Sequence, residues 1–224
     1  MKFKTLFIVA LMATLWSTDS FSQECKPVTF DGYTYGVVQI GNQCWFAENL
    51  RTEHYANGDE IPGDLSNEEW KTTDSGARAV YGEAELSREE LLENLKMYGG
   101  LYNWYAVDDE RGLCPSGWRV PTDDEWTLLT NLLGEPFVEL KLKSTYGWKD
   151  GGNGTNSSGF SALAGGLRYF NGNFYGEGND GYFWSSSPYG TNAWYRRLGS
   201  GDSGVSRYNY FRRSGFSVRC VRDE

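Results

Sequence analysis

Apolar positions in this chain fall into short runs broken every few residues by Gly, Asn or Asp. Val28-Thr29-Phe30 and Tyr33-Thr34-Tyr35 flank Asp31-Gly32, the composition of a hairpin turn. Val37–Ile40 and Cys44–Phe46 follow as short strands around Gly41-Asn42. From Ser144 onward the pattern is all β. It predicts strands at 160–163, 166–170, 182–186, 193–198, 205–211 and 216–221. Loops rich in Gly, Asn, Ser and Asp separate them at 150–159, 171–181 and 199–204, and Asn171-Gly172 reads as a hairpin turn. The run 205–211 alternates, with Val205, Arg207, Asn209 and Phe211 on one side and Ser206, Tyr208 and Tyr210 on the other.

Two segments carry helix signals at both ends. Ser87 and Glu90 form a capping box ahead of Leu91, Leu92 and Leu95, and Gly99-Gly100 stops the turn. Thr122 and Glu125 form a second box, followed by Trp126, Leu129 and Leu133 on one face and by Gly134. Asp123 and Asp124 suit the positive end of that helix, so capping accounts for the acidic cluster without a metal. Leu101 to Val107 reads as a buried helix or turn. Residues 58–86 are polar, acidic and weakly periodic, the pattern of an irregular surface insertion that extends with the first helix to about residue 97. The fold class this predicts is α+β: two short helices, twisted antiparallel sheets and long Gly/Asn-rich loops.

The first residues change the picture of where the protein resides. Lys2 and Lys4 precede a mostly apolar run from Thr5 to Trp16, and Ser20-Phe21-Ser22 offers a cleavage site before Gln23. Residues 1–22 therefore read as a signal peptide and 23–224 as a single domain. Glu24 before Cys25 argues against a lipid anchor, and no later apolar run reaches membrane length. The sequence carries 21 basic and 30 acidic residues; without Lys2, Lys4 and Asp19 the balance is 19 to 29, a net charge of −10. Such a chain is expected to be secreted or to reside in the periplasm or on the outer surface. Its charge excludes nucleic acid as a natural partner.

Cys25, Cys44, Cys114 and Cys220 all lie in the exported part. An even count there points to disulfides, and four cysteines allow three pairings. The pairing expected is Cys25–Cys44, closing a short N-terminal hairpin, and Cys114–Cys220, clamping the final strand to the segment before the second helix. With no CxxC and one histidine, His54, the chain lacks the spacing of a zinc site.

Six ordered stretches resemble the Fibrobacter succinogenes major paralogous domain, a family of exported proteins of Fibrobacter-like and Bacteroidetes-like bacteria. They are Ile40–Leu50 (IGNQCWFAENL), Tyr98–Val107 (YGGLYNWYAV), Cys114–Trp118 (CPSGW), Gly159–Gly166 (GFSALAGG), Tyr182–Ser187 (YFWSSS) and Gly215–Arg222 (GFSVRCVR). The resemblance implies a C-type-lectin-like fold related to formylglycine-generating enzymes, and no general activity. Arg119-x-Pro121-Thr122-x-x-Glu125-Trp126 and Gly215-Phe216-x-x-Arg219-Cys220 resemble those enzymes most closely. Their oxidase chemistry needs a reactive cysteine pair in the later half, and no cysteine stands between Cys114 and Cys220. Calcium-dependent lectins use Glu-Pro-Asn or Gln-Pro-Asp with Trp-Asn-Asp, and neither triplet occurs; Glu135-Pro136-Phe137 is a superficial likeness.

Chemistry is otherwise sparse. His54 sits in a polar stretch without a nucleophile elbow, and no carboxylate pair stands out for glycoside hydrolysis. No catalytic residue or resident cofactor is assigned. Asp150, Asn153 and Asn156 offer oxygen ligands that could hold Ca²⁺, but the same composition makes a turn-rich loop. Trp148, Tyr189, Trp194, Tyr208 and Tyr210, with Arg207, stand near glycine loops where rings can serve as platforms; Tyr169 and Tyr175 share that setting. Arg196, Arg197, Arg207, Arg212 and Arg213 concentrate positive charge near the end of the chain, to receive an acidic ligand or to balance local acids; the second reading is preferred. The expectation is a non-catalytic exported module that binds a glycan or a cell-surface protein. A structural envelope protein and a glycan-acting enzyme are the alternatives.

Overall fold

A computed structural model describes residues 24–201 and 204–223. The leader expected over residues 1–22 lies outside the described residues. The chain begins with a hairpin, β1 (Val28–Phe30) and β2 (Tyr33–Tyr35), whose turn places Asp31 and Gly32 at positive φ. Strands β3 (Val37–Ile40) and β4 (Gln43–Phe46) pair antiparallel. Next come α1 (Asn67–Thr72), β5 (Arg78–Ala79), α2 (Arg88–Tyr98), β6 (Leu101–Tyr102), α3 (Trp104–Val107) and β7 (Trp118–Arg119). Helices α4 (Asp123–Leu133) and α5 (Val138–Leu142) lead into the β-rich second half: β8 (Gly165–Arg168), β9 (Phe174–Glu177), β10 (Asp180–Tyr189), β11 (Asn192–Gly199), β12 (Ser206–Phe211) and β13 (Val221–Arg222).

Two sheets carry the architecture. One has the order β3-β4-β13-β7, so the last strand closes onto the first part of the chain through Val221, which pairs with both Trp45 and Arg119. The other has the order β12-β11-β10-β8-β9 and is antiparallel except for one parallel bridge, Gly181 to Gly166. Both capping boxes form as the sequence predicts, on Ser87 with Glu90 and on Thr122 with Glu125. Helix α4 lays Trp126 and Leu129 against Trp45, Phe160, Phe183 and Trp148. A second cluster centres on Tyr102, Trp104, Trp184 and Phe216. The mixed α+β class and both disulfides, Cys25–Cys44 and Cys114–Cys220, are as expected, and no described cysteine is free.

Beyond the two expected helices the chain adds α1, α5 and, within the stretch 101–107 read as a buried helix or turn, α3; β9 forms inside the expected loop 171–181. Three further segments differ from the sequence pattern. Residues 58–86 are not an irregular surface: they contain α1 and β5 and bury Trp70, Ala77 and Ala79 with Leu101. Their anchor is Arg168, fully buried, which donates to Glu83 Oε1, to Leu65 O and to Gly172 O, and lies 4.3 Å over the Trp70 ring. A single apolar ring at residue 70 leaves no periodicity to read, and the arginine that fixes it is about 100 residues away in sequence. Residues 160–163 make only a bridge from Ala162 to Lys143, because Ser161 takes a positive φ and donates its N–H to Asn156 Oδ1. Of the expected strand 216–221, residues 216–220 thread between the sheets and only Val221 enters one, as the start of β13. Phe216 bonds Tyr102, Ser217 bonds Tyr182, and the Val218 and Cys220 carbonyls accept from Leu50 and Phe46.

Candidate binding site

The proposed aromatic residues separate into three places. Trp148 is 5% exposed, packs in the α4 core and donates its indole N–H to Ala162 O at 3.0 Å. It is a packing residue, and the earlier placement on an open loop is corrected. Its glycine-rich neighbourhood misled, since those glycines turn the chain around a buried ring. The loop beside it is equally committed. Asn153 Oδ1 accepts from Trp148 N, Asn156 Oδ1 accepts from Ser161 N, and Asp150 holds a positive-φ turn. These amides serve the loop's own backbone, so the turn-rich reading accounts for them without Ca²⁺.

Tyr189, Trp194 and Arg207 meet on the sheet face that packs against α4. Cross-strand partners share a face, and Trp194 pairs with Asn209 while Arg196 pairs with Arg207. The Arg207 guanidinium lies 3.6 Å over the Trp194 ring, and Tyr189 packs on the same indole at 4.6 Å. Arg207 is itself held by Asp123, with Nη2 2.7 Å from Oδ2, while Arg196 donates to Oδ1 from the buried side. Asp123 therefore does more than serve the helix end: it ties the first turn of α4 to β11 and β12.

Burial pushes the Asp123 carboxyl upward, but hydrogen bonds from Arg207 and Arg196 outweigh this and hold its pKa below the usual range. Glu125 is opposed by burial and lowered in the same way by Arg119 and the Thr122 cap. A carboxylate lowered on folding contributes stability above its unfolded pKa, about 4, and that contribution is lost as pH falls through the folded value. The thermal midpoint should thus hold down to about pH 4–5 and fall below it. Asp123→Asn should shrink the acid-dependent part of the drop. A profile for the unaltered protein that stays flat to pH 2.5 would contradict this assignment.

The opposite face of the same sheet is a band of tyrosines. It runs from Tyr208 and Tyr210 on β12 through Tyr195 on β11 and Tyr182 on β10 to Tyr169, just past β8, and Tyr175 on β9. Ring centroids link Tyr208 to Tyr195 at 6.2 Å, Tyr195 to Tyr182 at 5.9 Å, Tyr210 to Tyr169 at 5.9 Å and Tyr169 to Tyr175 at 5.8 Å. Phe216 lies beneath, 4.9 Å from Tyr195 and 5.2 Å from Tyr182. The inner rings are partly or fully covered, whereas Tyr208 and Tyr175 at the two margins are 54% and 50% exposed.

The inner phenols Tyr182, Tyr195 and Tyr210 are all shifted upward and remain protonated near neutrality. Burial pushes Tyr195 up to about 12. Burial and a hydrogen bond with Tyr169 raise Tyr210 further. Tyr182 contacts Asp180 and Arg197, themselves paired at 2.7 Å, so a polar group borders the rings. The face thus combines apolar rings, tilted against one another, with hydroxyl donors and acceptors. Sequence reading placed Tyr208 and Tyr210 together by alternation. It missed Tyr182 and Tyr195, which look like core positions until the register of β10 and β11 is known.

Among the described residues no helix is long and apolar enough to cross a membrane, and no group of His, Cys, Asp or Glu has the arrangement of a metal site. His54 is held by Asp31 at 2.9 Å at the β1–β2 turn. A comparison with family models gives one finding: the Fibrobacter succinogenes major domain matches residues 38–222. No curated protein and no solved structure matches the chain.

Proposed function

The chain belongs to the Fibrobacter succinogenes major domain family, and on that premise we propose that it is an exported, non-catalytic module that binds a glycan on the tyrosine face of its second sheet. The observation that carries this reading is the band itself: tyrosines on neighbouring strands, resting on Phe216 and most exposed at the two margins. Sugar rings present flat C–H faces that aromatic rings cover, while phenol hydroxyls exchange hydrogen bonds with sugar hydroxyls. Export is supported by the leader-like residues 1–22 and by two disulfides, which persist in oxidising compartments. The lectin-like arrangement implied by the six motifs belongs to this reading too.

The absence of an assigned catalytic group in the band favours binding over turnover. Asp180, the carboxylate beside Tyr182, is paired with Arg197. The test is a binding isotherm for the protein against soluble xylan, mannan, mixed-linkage β-glucan and polygalacturonate. Tyr208→Ala and Tyr175→Ala should each weaken the polymer that binds by about 1–3 kcal/mol, with the thermal midpoint nearly unchanged. Unaltered affinity in both variants would remove the tyrosine face as the site. Release of reducing ends during incubation would replace binding by catalysis.

A further inference from the structure

The five arginines near the end of the chain do not share one fate. Arg196 and Arg207 are bound to Asp123, and Arg197 to Asp180. Those three balance local acids, as the sequence reading preferred. Arg212 and Arg213 do not. Arg212 donates to the Asn192 and Gly190 carbonyls and lies 4.3 Å over the Trp104 ring. Arg213 donates through Nε to Thr73 O at 2.8 Å. Among the described residues neither guanidinium meets a carboxylate. In a chain with nine more acidic than basic residues, two neighbouring half-buried arginines left without an acid need a reason.

Both arginines line a groove of about 450 Å³ with Lys71, Tyr105, Phe170 and Phe211. That volume lies in the range of small-ligand sites, about 300–1,000 Å³. Lys71, at the end of α1, is mostly exposed and lies 3.6 Å from Glu68, the acid beside it. Phe211 is 49% exposed and meets Phe170 at 4.9 Å. The groove adjoins the end of the tyrosine band, where Phe170 and Phe211 follow Tyr169 and Tyr210 in the chain and pack 4.3 and 5.2 Å from them, although the register of β12 puts Phe211 itself on the side of Asn209 and Arg207. Tyr105 also lines a second hollow, with Asp74, Asp108, Glu110 and the ion pair of Asp109 with Arg111. The net negative charge of that hollow disfavours an anion there and leaves the arginine groove as the cationic side of Tyr105.

We propose that this groove binds the acidic sugar of a carboxylate-bearing glycan, its carboxylate received by Arg213 with Arg212 and Lys71 and its ring lying against Phe170 and Phe211. The proposal deepens the glycan-binding reading and rests on it, since the groove would hold one sugar of a chain that continues along the tyrosine band. With Nε committed to Thr73, the Arg213 terminal nitrogens retain N–H groups in a fork that suits a planar carboxylate.

The experiment compares oligogalacturonide with the same oligosaccharide fully methyl-esterified, by calorimetry at low and high salt. Poly-glutamate serves as a non-sugar polyanion. The acid form should bind at least about tenfold tighter than the ester, and its affinity should fall with salt. Arg213→Gln and Lys71→Gln should each remove most of that preference, and Arg213→Lys should restore part of it. Lys71 is exposed, so its variant keeps the test independent of folding at residue 213.

Equal binding of acid and ester, or unchanged preference in both Gln variants, overturns the proposal. So does poly-glutamate binding as tightly as the sugar acid. If the ester binds as well as the acid and Tyr208→Ala weakens it, the groove falls and the tyrosine face stands. If Arg213→Gln abolishes acid binding while Tyr208→Ala and Tyr175→Ala change nothing, the groove stands without the face. Binding of none of these sugars, or of the neutral polymers above, overturns both.

Discussion

Replacing Arg219 by methionine should leave the protein unfolded or cost it about 3–5 kcal/mol. The side chain is fully buried, and burial lowers its pKa to about 9. No carboxylate touches it among the described residues. Its N–H groups instead reach Asn49 Oδ1 at 2.7 Å, Phe46 O at 2.9 Å, Ser161 O at 2.9 Å and the Phe160 carbonyl, with the guanidinium 4.4 Å over the Phe160 ring. One side chain thus joins β4, the turn at 160–161 and the final segment. Methionine fills most of the volume but leaves buried acceptors without this donor, each at about 1–3 kcal/mol if no water replaces it. Lysine keeps a charge but lacks the planar fork, so Arg219→Lys should recover only part of the loss. Urea unfolding measures this: the midpoint should fall sharply while the exposed Arg88→Gln stays within about 0.5 kcal/mol. An Arg219→Met protein with an unchanged midpoint would contradict the assignment.

The second large effect concerns the Cys114–Cys220 bridge. It closes a loop with a sequence separation of 106, against 19 for Cys25–Cys44. Chain entropy assigns the two about 5 and about 3 kcal/mol respectively. Both Cys114 and Cys220 are buried, and Cys220 accepts from Phe46 through its carbonyl. The paired change Cys114→Ala with Cys220→Ala should therefore lower stability by about 2–5 kcal/mol, more than removal of the N-terminal bridge. Guanidinium titrations of both double variants decide the order. Equal losses, or a larger loss from the shorter loop, would show that the long bridge clamps nothing.

Both predictions fall on residues inside the six sequence motifs, and this explains what could be read in advance. Trp45 and Phe46, Trp104, Phe160, Trp184 and the Arg219–Cys220 pair are motif residues and are all buried. They converge on the two cores, so a resemblance built on them speaks for architecture. The capping boxes at Ser87 and Thr122 were legible because a helix start is local. Tyr208, Tyr175, Phe211 and Arg213 lie outside those motifs, where no local pattern separates a half-exposed ring from a packed one. Trp148 and Tyr208 stand in similar company in the sequence, yet one is core and the other surface. Strand register places Tyr208 and the packing of an irregular turn onto α4 buries Trp148, and both depend on partners far away in the sequence. Asp123 shows the same limit. Its place at a helix start was clear, whereas its two arginine partners came into reach only through the packing of β11 and β12 on α4.

The central claim is that the tyrosine face, not the α4 face, meets ligand. Its most direct test is the location of backbone resonance changes when the best-binding polysaccharide is titrated into isotopically labelled protein. The account predicts that the largest shifts cluster at residues 169–175 and 206–213 and at Tyr182, and that residues 123–133 of α4 stay unmoved. Shifts centred on α4, Tyr189 and Trp194, with the tyrosine strands silent, would contradict it.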